Sequence, residues 1–411
     1  MRLVLKNIGK LLGVENEPTP FVAGARMEHI NVIDDAWLVI EQEKIVCYGT
    51  GEVLPFTDDE VLDCKGGMVM PAFCDSHTHL VYAGSREREY EDKIRGLSYE
   101  EIAKRGGGIL NSASLMAATE ESQLFDLSLP RVMEILKSGT GAVEIKSGYG
   151  LNTGDELKML RVIKRLREET PLTIRSTFLG AHAFPDAYKN NRDQYVQLVV
   201  EEMIPAVAGE QLADYIDVFC DRGFFSVEQT DRILEAGQKN GLIPKIHANE
   251  LDYSGGIQVG VKYEAQSVDH LEYIGSNELD ALKSGNTMPT LLPGASFFLG
   301  LDYAPARKLI EAGLPVALAS DYNPGSSPSG NMEFVMSLGI TQLKMLPNEV
   351  FNAVTQNGAY AMGVEGFLGS ITPGKLANLI LTVPMPGFGF MPYSYGTSQI
   401  QKVIINGEIQ S

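Results

Sequence analysis

The chain has 411 residues, 44% of them hydrophobic, which suffices for a large core and more than one domain. Its 34 basic and 53 acidic residues give a formal charge of −19, which argues against general nucleic-acid binding and against anionic membrane surfaces. No apolar run is long enough to span a bilayer, and the N-terminus carries charges and no small-residue cleavage site, so cytoplasmic residence is the expectation.

From Arg2 to about Gly67 the sequence reads as short strands and turns. Ala36–Ile40 and Lys44–Tyr48 flank a charged turn, the pattern of a hairpin, and Val61–Cys64 follows. His29 lies here, away from any motif, and reads as a surface or structural residue. Met68–Phe73 is an apolar strand that delivers His77 and His79. Residues i and i+2 of a strand share a face, so the two imidazoles can aim at one metal ion. Taken by itself an H-x-H pair is weak, because two nearby histidines also arise by chance.

Beyond His79 strands and helices alternate. Ser98–Glu101 is a capping box that opens a helix ending at Gly106-Gly107-Gly108. Thr140–Lys146 is a strand, and Thr153–Glu156 caps the next helix. Leu172–Phe178 leads into the His182 loop. Tyr215–Cys220 precedes a helix capped by Ser226–Gln229. Ile243–His247, Ala265–His270, Thr287–Leu292 and Pro315–Ser320 follow, the last running into Asp321. Eight strands with intervening helices predict an α/β fold: a TIM-like (β/α)8 barrel over residues 67–364. The tail from Val364 returns to short strands. Residues 1–66 and 365–411 are therefore expected to form a small composite β-sandwich domain.

Cys47, Cys64, Cys74 and Cys220 are scattered without a C-x-x-C pair, so buried free thiols are expected rather than disulfides or a thiolate site. Five of the six histidines, with Asp321, fall at or after strand C-terminal ends, where barrel active sites form. His77, His79, His247 and Asp321, from the first, fifth and eighth strands, make a candidate ligand set. Three imidazoles and a carboxylate suit zinc or iron. A single histidine at a strand end is more often a hydrogen-bonded structural residue; the paired spacing and the expected strands favour the metal.

This arrangement, with the split β-domain and the tail Gly369-Ser-Ile-Thr-Pro-Gly-Lys375, resembles the amidohydrolase superfamily over nearly the whole chain. Binuclear members of that superfamily carry a bridging lysine or glutamate on the fourth strand. Here that strand ends in Phe219-Cys-Asp221, so one divalent or trivalent ion is expected, with Asp221 a solvated loop residue and Lys146 structural or supporting. Gly84–Tyr90, Gly96–Ile102, Gly106–Ile109, Lys146-Ser-Gly-Tyr-Gly-Leu151, Gly180-Ala-His-Ala183, His247-Ala-Asn-Glu250 and Ser320–Pro328 are together similar to the imidazolonepropionase family.

That resemblance implies hydrolysis of a ring C–N bond in a small anionic substrate, imidazolone propanoate, in histidine degradation. It implies Glu250 as general base, His270 as its support, and Asp321 as a ligand that also passes a proton. It places Arg86 on the substrate carboxylate; Arg88, on the same charged segment, reads by itself as a solvent-facing arginine. Tyr99, Tyr149, His182 and Glu250 would contact the substrate, and Asn323, Gly325 and Ser326 would hold its glutamate end. The chain departs from the pattern at Asn249 and Asn378, where aspartate is usual, and over Leu110–Thr119. Another mononuclear amidohydrolase, a deaminase of an uncharged cyclic amidine or a cyclic amide hydrolase, and a non-catalytic protein on the same barrel stand as alternatives. A homodimer is allowed, and no nucleic-acid or membrane partner is expected.

Overall fold

The computed structural model describes residues 2–17, 19–53, 59–97 and 107–410. Its first strand, Arg2–Leu12 (β1), runs antiparallel to Val32–Glu41 (β2). Gln42, at φ +56°, turns β2 into Lys44–Thr50 (β3), making the expected hairpin. Glu60–Asp63 (β4) and Met68–Pro71 (β5) lie parallel to β1 along its other edge.

The apolar run read as one strand is two. β5 belongs to this small sheet, whereas Phe73–Thr78 (β6) starts a second one. Ala72 is the break: its N–H bonds to Asn378 O, while Phe73 N–H bonds to Gly139 O. The run satisfies both sheets because both bury it.

Parallel strands follow β6 around a barrel. They are Thr140–Lys146 (β7), Thr173–Ala181 (β8), Tyr215–Cys220 (β9), Ile243–Pro244 (β10), Ile246–Ala248 (β11), Ser267–His270 (β12), Met288–Leu291 (β13) and Ala317–Leu318 (β14). The order is β6-β7-β8-β9-β11-β12-β13-β14, with β10 on β9. After β14 the chain reaches back to β6: Asp321 N–H bonds to His77 O at 3.0 Å and His79 N–H to Tyr322 O at 2.9 Å. Those two bonds bring the last strand against the first.

Helices pack outside. Thr153–Glu169 buries Met159, Leu160, Ile163 and Leu166 on one stripe, as helical spacing requires. Its cap is Asn152 rather than Thr153, because the Asn152 side chain accepts Asp155 N–H at 3.0 Å. Val227–Lys239 starts with the expected capping box from Ser226 and Gln229. The helix expected to open at the Ser98–Glu101 capping box and end at Gly106 lies outside the described residues.

Leu379–Thr382 (β15), Ile400–Ile405 (β16) and Glu408–Ile409 (β17) return to the small sheet, in the order β17-β16-β15-β5-β1-β2-β3. Leu5, Ile8, Leu38, Ile40, Val69, Leu379 and Ile404 form its own core. Each such fully buried side chain contributes about 1.5–3 kcal/mol. Among the described residues no helix is long and apolar enough to cross a membrane.

Candidate metal centre and its surroundings

Strand alternation carries His77 and His79 to the inside of the barrel, where β11 supplies His247. One nitrogen from each of the three lies within 4.8 Å of the others, and all three residues are buried. Asp321 joins them: its Oδ1 is 3.6 Å from His77 Nε2 and 3.7 Å from His79 Nε2.

Two carboxylates fix how the rings point. Asp269 Oδ2 lies 2.6 Å from His77 Nδ1, and Asp217 Oδ2 lies 2.9 Å from His247 Nδ1. Each takes the Nδ1 side of its ring and turns Nε2 towards the common centre, the usual outer support of metal-binding histidines. His77 Nε2 is buried with no hydrogen-bond partner, and His79 Nε2 stands 3.4 Å from His247 Nε2. Burial holds the His77 and His79 rings well below the ordinary imidazole range and lowers His247 to about 4, so all three present neutral nitrogens. The spacing fits a single small ion. Two ligands bound tetrahedrally to zinc at about 2.0–2.1 Å lie roughly 3.4 Å apart. The donor set is compatible with a metal ion.

Asp321 pays for its place in backbone conformation. It sits at φ +53°, and His270 and Asn249 on the same rim sit at +85° and +56°. Such positions cost about 1–3 kcal/mol for ordinary residues and persist only when the surroundings over-determine them. Around Asp321 they do. Asp75 accepts Ser320 N–H at 2.9 Å and Ser320 Oγ–H at 2.5 Å, and Asn323 Nδ2 donates to Asp321 O at 2.6 Å.

Glu250 and His270 are neighbours beside the centre, with Oε2 and Nε2 3.7 Å apart and the His270 ring centre 5.3 Å from that of His247. Burial pushes the Glu250 carboxyl up to about 7, against the opposing pull of His270. Burial would lower His270, but Glu250, Glu272 and Asp321 outweigh it and raise the ring to about 10. Asp221 is buried, not solvated: its Oδ2 accepts the Glu250 and Leu251 N–H groups at 2.8 and 2.9 Å and so sets the Glu250 turn.

His182 stacks on His79, with ring centres 5.1 Å apart and planes 15° from parallel. Its Nδ1 lies 3.0 Å from Gly148 O, and Gly148, at φ +112°, has no room for a Cβ, which would stand 2.9 Å from that nitrogen. Tyr149 is buried 5.9 Å from the His79 ring. Arg86 lies over Gly325, and Glu89 holds it through Nε and Nη2 at 2.9 and 2.6 Å. Arg88 is exposed. Asn323 turns inward on its own loop, accepting the Gly325 and Ser326 N–H groups at 2.8 Å, and Ser326 Oγ donates to Asp321 Oδ2 at 3.2 Å. Tyr99 lies outside the described residues.

The sequence reading missed Asp217, Asp269, Glu89 and Glu272. The first had a signal, since it is an acid inside the apolar strand Tyr215–Cys220, whereas Asp269 lies in Ser267-Val-Asp-His270, a strand with a single apolar residue. Glu89 and Glu272 gave none. The two asparagine departures have local reasons. Asn249 Nδ2 donates to Tyr273 O at 2.8 Å, and Asn378 Nδ2 donates to Gly141 O at 3.2 Å, bonds an aspartate cannot make. Leu110–Thr119 falls within and just beyond the helix Ile109–Ala118, with Met116 in the core.

Residues 68–409 match the amidohydrolase family. The chain is 52% identical over 410 residues to an imidazolonepropionase of Christiangramia forsetii, with 100% of each chain covered. It is 51% identical to one of Flavobacterium johnsoniae, again covering 100% of each. With one of Alkaliphilus oremlandii it shares 41%, covering 98% and 97% of the two chains. Among solved structures, a triazine hydrolase variant superposes with a TM-score of 0.78 at 14% identity, covering 99% of this chain and 94% of that one. Guanine deaminase of E. coli gives 0.70 at 14%, covering 99% of each. Atrazine chlorohydrolase from Arthrobacter aurescens TC1, complexed with zinc, gives 0.73 at 12%, covering 99% and 94%. The chain belongs to the amidohydrolase family, in its imidazolonepropionase branch.

Proposed function

We propose that this chain hydrolyses 4-imidazolone-5-propanoate to N-formimino-L-glutamate, a step of histidine degradation, with one zinc or iron ion per chain. The observation that carries the reading is the likeness along the entire chain, at 52% identity, to a relative named imidazolonepropionase. The site geometry gives that chemistry its parts.

In this reading His77, His79, His247 and Asp321 hold the ion. Bound there, it would act as a Lewis acid and make a water acidic enough to attack at neutral pH. Glu250, raised towards neutrality by burial, takes the proton of the attacking water. The new C–O bond forms at the ring carbonyl carbon, and the adjacent C–N bond breaks. The departing nitrogen takes a proton through Asp321. His270, kept charged by the carboxylates around it, steadies Glu250 and faces the oxygen that gains negative charge.

Arg86 is the cation for the propanoate, since its planar fork suits a carboxylate. His182 and Tyr149 line the approach to the ring, and Asn323, Gly325 and Ser326 shape the loop under the glutamate end. Tyr99 is proposed as a further contact.

The rival reading is a deaminase of an uncharged cyclic amidine on the same barrel. The two separate on Arg86→Ala. Loss of turnover on imidazolone propanoate, with no activity on guanine in either protein, supports the proposed reaction. Guanine turnover that survives the substitution favours the deaminase.

A further inference from the structure

The interior of a (β/α)8 barrel is normally filled by layers of branched apolar side chains. Here the layer beneath the three histidines is charged. Glu144 and Lys146 come from β7, Asp217 from β9, Asp269 from β12, and Lys245 from between β10 and β11, all with side chains fully buried. Burying five charges is costly unless their arrangement does something a packed apolar layer cannot.

The atoms show what that is. Lys146 Nζ lies 2.6 Å from Glu144 Oε1, 2.8 Å from Asp217 Oδ2 and 3.7 Å from Asp269 Oδ2. Asp217 Oδ2 is the same oxygen that stands 2.9 Å from His247 Nδ1, and Asp269 Oδ2 the same one that stands 2.6 Å from His77 Nδ1. One ammonium therefore lies against the oxygen that orients His247 and within ion-pair distance of the one that orients His77. Lys245 differs. It pairs with Glu144, donates to Ser76 O at 2.9 Å, and comes no nearer than 4.0 Å to Asp269.

We propose that Lys146 is a positioning residue for the metal centre: its single ammonium ties Asp217 to Asp269 and so sets His77 and His247 together as donors. Lys245, on the other side of Glu144, serves the fold and not the centre. The inference rests on the reading of the histidine cluster as a metal site. Outer partners of metal-binding histidines are typically worth about 10–100-fold in affinity. A residue that governs two such partners should act within that range while touching no ligand.

The test is zinc affinity by competition with a chromogenic chelator, together with the visible spectrum of the cobalt-loaded protein. Circular dichroism checks the fold of each variant. Lys146→Met is expected to bind zinc at least tenfold more weakly, about 1.4 kcal/mol, and to shift the cobalt bands. Lys245→Met should lower the melting temperature with zinc affinity within threefold of the parent. Equal zinc affinity in Lys146→Met and parent, or equal losses in the two lysine variants, overturns the proposal.

If Lys146→Met does not fold, Asp217→Asn, Asp269→Asn and their double variant carry the test. A shared ammonium predicts that the double variant loses at least fivefold less affinity than the product of the single losses. Independent, multiplying losses overturn the link. A parent protein that binds no zinc or iron removes the metal reading itself.

Discussion

Arg86 lies directly on the backbone of Gly325: a Cβ at that position would stand 2.1 Å from Nη1. Glu89 grips the opposite edge of the guanidinium, and its second oxygen accepts Gly108 N–H at 2.9 Å. The proposed carboxylate-binding group is thus held between an acid and a bare stretch of backbone.

Gly325→Ala should therefore move the guanidinium rather than unfold the loop, because the atom it strikes ends a flexible side chain. KM for imidazolone propanoate is expected to rise tenfold or more, about 1.4 kcal/mol. The melting temperature should stay within about 2 °C. Steady-state kinetics beside a thermal melt separate the two effects, and an unchanged KM would remove Arg86 from the substrate site.

Glu250→Gln keeps the shape of the side chain and removes its base. Turnover should fall by roughly 10²–10⁴, with metal content unchanged by elemental analysis. Loss of the metal would instead make Glu250 a ligand.

Activity should fall as pH drops. Burial raises the Glu250 carboxyl to about 7, and only its ionised form accepts a proton. Log kcat/KM is expected to be flat above that value and to decline below it. A profile flat down to pH 5 would assign the base elsewhere.

The Asp75–Ser320 pair holds the last strand to the first just before Asp321. Ser320→Ala leaves the buried Asp75 Oδ2 and Tyr322 N–H without their partner, costing about 1–3 kcal/mol. A lower thermal midpoint should result.

Burial pushes the Cys64 and Cys74 thiols up to about 12 and that of Cys220 to about 11, and all three side chains are enclosed. Cys47 is only partly covered. At pH 8 a thiol reagent should titrate one cysteine in the native protein and four after denaturation.

The sequence carried the barrel and the histidines because both rest on local pattern. Parallel strands buried on both faces read as apolar runs, and H-x-H on such a run aims two rings one way. What stayed hidden depends on contacts far apart in the chain. Ala72 splits an uninterrupted apolar run only because two sheets compete for it. Asn152 caps its helix in place of Thr153, and Glu156 instead accepts the Gly148, Gly150 and Leu151 N–H groups, which shapes the loop beside His182. Lys146 reads as the end of a strand. Its meaning appears only when β9 and β12 bring Asp217 and Asp269 to it.

The central claim is tested most directly by incubating metal-replete protein with freshly prepared imidazolone propanoate in ¹⁸O-labelled water. The account predicts loss of the imidazolone chromophore and N-formimino-L-glutamate carrying a single ¹⁸O in the carboxylate made from the ring carbonyl. Substrate that disappears no faster than its spontaneous decay would contradict it.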